Sequence, residues 1–269
     1  MNAIQDKINN SVFRNSNAIQ FNPSSEVMDY GVEINIAVSE NEAIDINYKV
    51  SVCWEFQNRQ REYLVDVKFK NFLVNQNKPE LLMEILADRC RQPINDIKFL
   101  LSNEGKIIDL LNYESVLQKW YEVKEELREE YSGKIFERYL SLQEKIISNK
   151  DFLLEKLSKD IFLSQFFSGI YNHNFQNYFI RNYENPEFMN IYYEIPVKIE
   201  MLNEGIYSGR KELFLKKVID ERSYNFNQMP IENYKTFYTL DGNHFIKNVM
   251  GKFEALNQSI SFSFNFIKR

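Results

Sequence analysis

"IDINYKVSVCWEF" (44–56) decides how this chain folds. Ile44, Ile46, Tyr48, Val50, Val52, Trp54 and Phe56 alternate with Asp45, Asn47, Lys49, Ser51, Cys53 and Glu55. A period of two puts every apolar side chain on one face of an extended strand. At about 3.3 Å per residue that strand spans roughly 40 Å. Upstream, "GVEINIAV" aligns Val32, Ile34, Ile36 and Val38 in the same way. Downstream, "QNRQ" (57–60) turns and "EYLVDVKFKNFLV" returns with Tyr63, Val65, Val67 and Phe69 inward. The expectation is a three-stranded antiparallel meander with one wet face.

The alternation reappears at the far end. "SISFSFNFIKR" places Ile260, Phe262, Phe264 and Phe266 opposite Ser259, Ser261, Ser263 and Asn265. "NIYYEIPVKIEML" aligns Ile191, Tyr193, Ile195, Val197, Ile199 and Met201, with Pro196 suggesting an edge strand or a bulge. "RKELFLKKVI" is a weaker strand, and "HFIKNVMGKFEAL" (244–256) fits a helix through Phe245, Val249, Phe253 and Leu256 as well as it fits a strand.

Between these β-rich parts the period becomes helical. "PELLMEILADRCR" (79–91) opens with Pro at a helix start. "IKFLL" and "KIIDLL" flank "SNEG", and Gly105 suits the positive φ of a short hairpin loop. Asn112 is the expected N-cap of a helix whose stripe is Val116, Trp120, Val123 and Leu127. A second helix runs through Ile135, Tyr139, Leu142 and Ile146, and Ser148 with Asp151 resembles a capping box for a third through Leu153, Leu157 and Ile161. Residues 113–167 therefore read as two or three helices.

The fold class this implies is α+β: an antiparallel sheet built from N- and C-terminal strands, with the central helical segment packed on its apolar face. Residues 1–269 are expected to form a single domain. It comprises a polar arm (1–25, with Ile4, Ile8 and Val12 at helical spacing), a β-rich part with one helix (26–112), a helical part (113–184) and a second β-rich part (185–269). The alternative is two subdomains, roughly 26–112 and 185–269, bridged by the helices.

Composition narrows the function. The 269 residues are 44% hydrophobic and 15% aromatic, too apolar for a disordered chain. A net charge of −5 argues against broad nucleic-acid binding. No cationic and apolar leader opens the chain, and no run approaches the 18 or so apolar residues of a membrane span. Cys53 and Cys90 have no CxxC partner and read as buried thiols in a reducing compartment, so the expected location is cytoplasmic.

The chemistry-bearing residues are sparse. His173 and His244, with two cysteines, are too dispersed for a zinc site, so no metal is expected. There is no GxSxG elbow, and with 8 glycines there is no GxGxxG or GxxxxGK[ST], so no nucleotide or other cofactor is expected. Asp241 and His244 in "LDGNHF" read as a turn rather than an acid–base pair. The carboxylates of "EVKEELREEY" (122–131), interleaved with Lys124 and Arg128, describe a solvated helix face.

The aromatic faces carry more weight. Tyr48, Trp54, Tyr193, Phe262, Phe264 and Phe266 fall on one side of a sheet, and Trp120 on the helix stripe faces it. These seven are the candidate binding residues. They form either a plain core, with Trp120 anchoring the helix layer, or an apolar pocket between sheet and helices. Long strand edges invite pairing with another chain, and Lys49, Lys68, Lys70, Lys198, Lys216 and Lys217 are read as edge protection. The strand-rich front, with its one aliphatic face, resembles tetrameric export chaperones. The hairpin at 97–111 and the helical middle depart from that pattern, so nothing is carried over from it.

The reading is a non-enzymatic protein-binding or assembly protein, an adaptor, immunity-type inhibitor or structural subunit, whose partner is another protein or a second copy of itself. The alternative is a carrier holding an apolar small molecule or lipid between the aromatic sheet face and the helices.

Overall fold

The computed structural model describes residues 19–20, 26–39, 42–57, 62–173, 175, 179–184, 187–188, 191–192, 195–202, 212–221, 231–255 and 258–267. The helical reading of Ile4, Ile8 and Val12 lies outside them.

Three long strands, β1 (Met28–Ser39), β2 (Glu42–Gln57) and β3 (Tyr63–Val74), form the expected meander. The hairpin β4 (Asp96–Leu101) and β5 (Ile107–Leu110) turns at Gly105, whose φ is +86°. After the helices come β6 (Phe179–Glu184), a separate two-stranded pair β7 (Glu187–Phe188) and β8 (Ile191–Tyr192), then β9 (Ile195–Leu202) and β10 (Leu213–Ile219). The last three strands are β11 (Ile231–Leu240), β12 (Ile246–Ala255) and β13 (Gln258–Ile267). Eleven strands share one antiparallel sheet in the order β5-β4-β3-β2-β1-β13-β12-β11-β10-β9-β6. At its centre β1 pairs with β13, Asp29 opposite Ile267 through Ala37 opposite Ser259.

The alternation read from the sequence sets the inner face. Tyr30 and Val32 on β1, Val50, Val52 and Trp54 on β2, Val65 and Val67 on β3, and Phe262 and Phe264 on β13 are all buried. Residues 246–255, left open between helix and strand by the sequence, are strand, and the register slips between Thr239 and Leu240 of β11 so that Leu240 faces Ile246. A bulge of this kind breaks the alternation. The buried positions Ile246, Val249 and Phe253 consequently mimic helical spacing. Pro196 lies near the start of β9, which is paired on both sides and is not an edge. Its carbonyl accepts from the Asp220 N–H just beyond the end of β10, so the N–H it lacks removes no interior rung.

Five helices are described: α1 (Leu82–Arg91), α2 (Tyr113–Glu130), α3 (Lys134–Ile147), α4 (Lys150–Ser158) and α5 (Ile161–Phe166). Four of them, rather than two or three, fill 113–167. Asn149, not Ser148, caps α4 by accepting from the Phe152 N–H, and Asp160 caps α5 by accepting from the Leu163 N–H. Asn112 sits at the α2 N-cap position but makes no capping bond. Its side chain instead holds the start of strand β4, accepting from Lys98 N–H and donating to the Asp96 carbonyl. Pro79 precedes α1 by three residues.

Helix α5 lies on the inner face. Phe162 packs on Tyr30, Phe69 and Phe264 with ring centroids 6.2, 6.3 and 5.0 Å apart, and Phe166 meets Tyr30 at 5.0 Å. Edge-to-face and offset contacts of this kind add to what burial alone contributes. Gly251 on β12 opposes Phe262, and a Cβ there would stand 2.1 Å from the ring. The glycine thus supplies the space that the ring fills.

Candidate ligand-binding cleft

Along β11 the inward positions Tyr234, Thr236 and Tyr238 carry hydroxyls, where an inner face ordinarily carries aliphatic groups. Opposite Thr236 on β10 is Lys217, with no solvent exposure. An uncompensated ammonium in such a place costs several kcal/mol. Here it donates to both carboxylate oxygens of Glu184, at 2.9 and 3.0 Å. Glu184 closes strand β6, and the Tyr234 hydroxyl donates to it as well. Burial pulls the Lys217 pKa down, but the charge of Glu184, with that of Tyr238, leaves it above the usual lysine value. Burial first, then Glu184, raises that of Tyr234 well above the ordinary tyrosine value. The cluster therefore holds an ammonium, a carboxylate and a neutral phenol.

Gln165 of α5 completes it. Its amide donates to the Tyr234 hydroxyl at 3.2 Å, and its carbonyl accepts from Thr236 at 3.2 Å and from Tyr238 at 3.3 Å. A helix side chain thus joins one continuous hydrogen-bonded chain on the sheet, and each member has a partner.

In front of this cluster is a cleft of about 490 Å³. Gln165, Tyr234 and Glu184 form its polar floor, Ile107, Leu163 and Phe167 its apolar wall, and Lys106 and Lys159 stand among its remaining lining residues. Both cations are countered locally, Lys159 by Glu155 at 2.5 Å and Lys106 by Glu104 at 3.5 Å. Lys106 and Ile107 belong to the β5 end of the sheet and Glu184 to the β6 end. The sheet therefore curls until its two outermost strands line one opening, with α4 and α5 at the same place. The arrangement can accept hydrogen bonds from a ligand at Glu184 while burying apolar atoms against Leu163 and Phe167.

The aromatic residues expected to bind lie elsewhere. Tyr48, Trp54, Phe262 and Phe264 are buried on the inner face, where Phe262 and Phe264 stack at 5.3 Å and Trp54 meets Phe167 at 6.0 Å. Trp120 is fully buried on α2, which packs against α1 and the 3-10 turn Gln92–Ile94. Phe266 is 40% exposed, and Tyr193 lies outside the described residues. None of the six described ones lines the 490 Å³ cleft. Lys217, read as edge protection, is instead the buried centre of the polar cluster, and β10 is not an edge. The signal that was available is the run of Tyr and Thr on the inward positions of β11, which asks for polar company. The Asp241–His244 segment is a turn, with Asp241 accepting from Asn243 and Phe245 N–H groups. No group of three or more metal-ligating side chains occurs among the described residues.

The sequence matches no protein-family model and no curated protein. Among solved structures it is similar to a LolA superfamily protein from Nitrosomonas europaea, at 10% identity and TM-score 0.25 over 97% of this chain and 93% of that one. It is also similar to a beta-barrel-like protein of a domain of unknown function from Brucella abortus, at 7% identity and TM-score 0.27 over 90% and 98%. No described helix is long and apolar enough to cross a membrane.

Proposed function

We propose that the protein is a carrier for a small amphipathic molecule held in the cleft between strands β5 and β6 under α4 and α5. The observation that carries this reading is a cleft of about 490 Å³ that joins an apolar wall to a preorganised polar floor. Ligand sites typically have a few hundred Å³ and fixed polar groups; this one is more polar than most, with Ile107, Leu163 and Phe167 as its apolar lining. Glu184, held by Lys217 and Tyr234, is an acceptor for a ligand hydroxyl, amide or ammonium. The ligand's apolar part lies against Leu163 and Phe167.

Native mass spectrometry of protein purified gently from its own host tests this. A retained mass of a few hundred daltons, lost in Ser158→Trp at the exposed rim of the cleft, supports the carrier reading. Bare protein in both forms overturns it.

A second reading, association with another protein, is favoured by strand β6. Among the described residues its outer edge pairs with no strand, and Tyr183 there is 61% exposed. An open edge of this kind accepts a further strand.

A further inference from the structure

A separate cleft of about 410 Å³ lies between α1 and the far end of β3. Lys70, Lys78 and Arg91 line it, with Asp88 as its one carboxylate. Arg89 also lines it but is occupied by Glu126 and Glu130, at 2.9 and 3.2 Å. Among the described residues Lys70, Lys78 and Arg91 have no carboxylate within ion-pair distance. The chain as a whole carries a net charge of −5, so three cations gathered on one cleft stand out.

Two features hold the three cations ready. The Arg91 guanidinium carbon sits 5.0, 4.6 and 5.3 Å from the ring centroids of Tyr48, Phe69 and Phe72. An aromatic cradle of this kind fixes a cation by its ring faces, and the nearby Asp160 carboxylate, beyond ion-pair distance, offsets only part of its charge. Asn71, between Lys70 and Phe72, has φ +57°, and the β2–β3 register slips beside it, between Asn47 and Lys49. A left-handed non-glycine residue at a bulge is strain retained where it re-aims side chains. Here the slip lets Phe69, Lys70 and Phe72 all line one cleft instead of alternating across the sheet.

We propose that this cleft binds a phosphate group. A phosphate monoester carries close to two negative charges near neutral pH and offers three acceptor oxygens, matching three cations better than a carboxylate does. The cleft is several times larger than phosphate itself, so the remainder of the ligand packs on Phe72, Pro79 and Ile85. Two sources share this chemistry: a free phosphorylated small molecule and a phospholipid headgroup. Leu81, Leu82 and Met83, exposed in the adjoining first turn of α1, are where lipid chains would make contact.

The test uses the full chain at low salt. Inorganic phosphate is titrated by calorimetry, and vesicles of phosphatidylcholine with and without phosphatidylglycerol are sedimented with the protein. Lys70→Gln/Lys78→Gln alters two exposed side chains and keeps the fold; Arg91→Gln is the second variant. Saturable phosphate binding weakened about tenfold for each cation removed supports the site. Co-sedimentation with phosphatidylglycerol that Leu82→Glu abolishes assigns it to a headgroup, and its absence assigns it to a free phosphorylated molecule. Neither phosphate nor vesicle binding, or binding indifferent to the double lysine variant, overturns the proposal. Ser158→Trp in the other cleft leaves phosphate binding unchanged, so the two sites fail separately.

Discussion

Lys217 and Glu184 pair across a strand that separates them. Lys217 is on β10 and Glu184 on β6, β9 lies between, and the ammonium still meets both carboxylate oxygens at 2.9 and 3.0 Å. The pair straps the outermost strand to the interior of the sheet, and it is unequal. The lysine side chain has no exposure, whereas that of Glu184 keeps 14%.

The inequality predicts which deletion costs more. Glu184→Gln strands a fully enclosed ammonium, and about 3–5 kcal/mol of unfolding free energy is expected to be lost. Lys217→Met leaves a carboxylate that water can reach, so its cost is smaller. The double variant recovers much of the deficit. Urea denaturation of the three variants at pH 7 checks the order, and a costlier Lys217→Met would show that solvent reaches the lysine instead.

The same pair predicts an alkaline signature. In the native protein the Lys217 pKa stands above the usual 10.5, so its stabilising contribution is complete below that value and is lost as pH climbs through the folded one. In Glu184→Gln the sign inverts. Burial alone depresses the lysine, the unfolded chain then binds the extra proton, and stability should rise from pH 8 to pH 10. Denaturation midpoints across that range decide it, and parallel profiles for the two proteins would refute the pairing.

Trp120 is fully buried, and its indole N–H has no acceptor among the described residues. Trp120→Ala should cost about 3–5 kcal/mol through the cavity it leaves. Trp120→Phe should cost only about 1–2 kcal/mol, because removing an unpaired buried donor offsets part of the lost volume. Thermal melts measure both, and equal losses would mean that the N–H is bonded.

Gly251→Ala places a methyl group where the Phe262 ring lies, 2.1 Å from Cζ. A loss of about 1–3 kcal/mol is expected. Phe262→Leu in the same chain should restore most of it, although alone it is destabilising. A melt showing simple additivity would break the link between the two residues.

Cys90 is buried on α1, and burial pushes its thiol up to about 11. At pH 8 roughly one molecule in a thousand carries the thiolate, so iodoacetamide should label Cys90 far more slowly than a free exposed thiol. Peptide mass mapping over a time course reads this directly. Rapid modification would show that α1 opens away from the sheet.

The long strands were legible because alternation is local: Ile44 to Phe56 announces its own face, and so does Ile260 to Phe266. The hairpin at Gly105 was legible because one turn position demands a positive φ. Strand β12 was not, because the slip opposite Leu240 shifts its alternation and counterfeits a helical stripe. The polar floor was hidden for a different reason. A lysine at an alternating position reads as solvent-facing until its counter-ion is known, and Glu184, Gln165 and Tyr234 are brought to Lys217 only by the curl of the sheet. Seven aromatics were conspicuous as a group; four of them pack on the inner face away from the cleft because α5 supplies aromatic rings of its own to fill that face.

The central rung of the sheet joins β1 to β13, Asp29 facing Ile267. During synthesis β1 must therefore wait until residues 258–267 have left the ribosome to meet its second partner. Until then the β1–β5 block exposes a naked edge bearing Tyr30, Val32 and Ile34, the kind of surface that aggregates or recruits a chaperone. Non-local pairings of this kind as a rule close later than local hairpins. A chain cut short before residue 258 would keep that edge open, and its solubility would report how well the cell guards it.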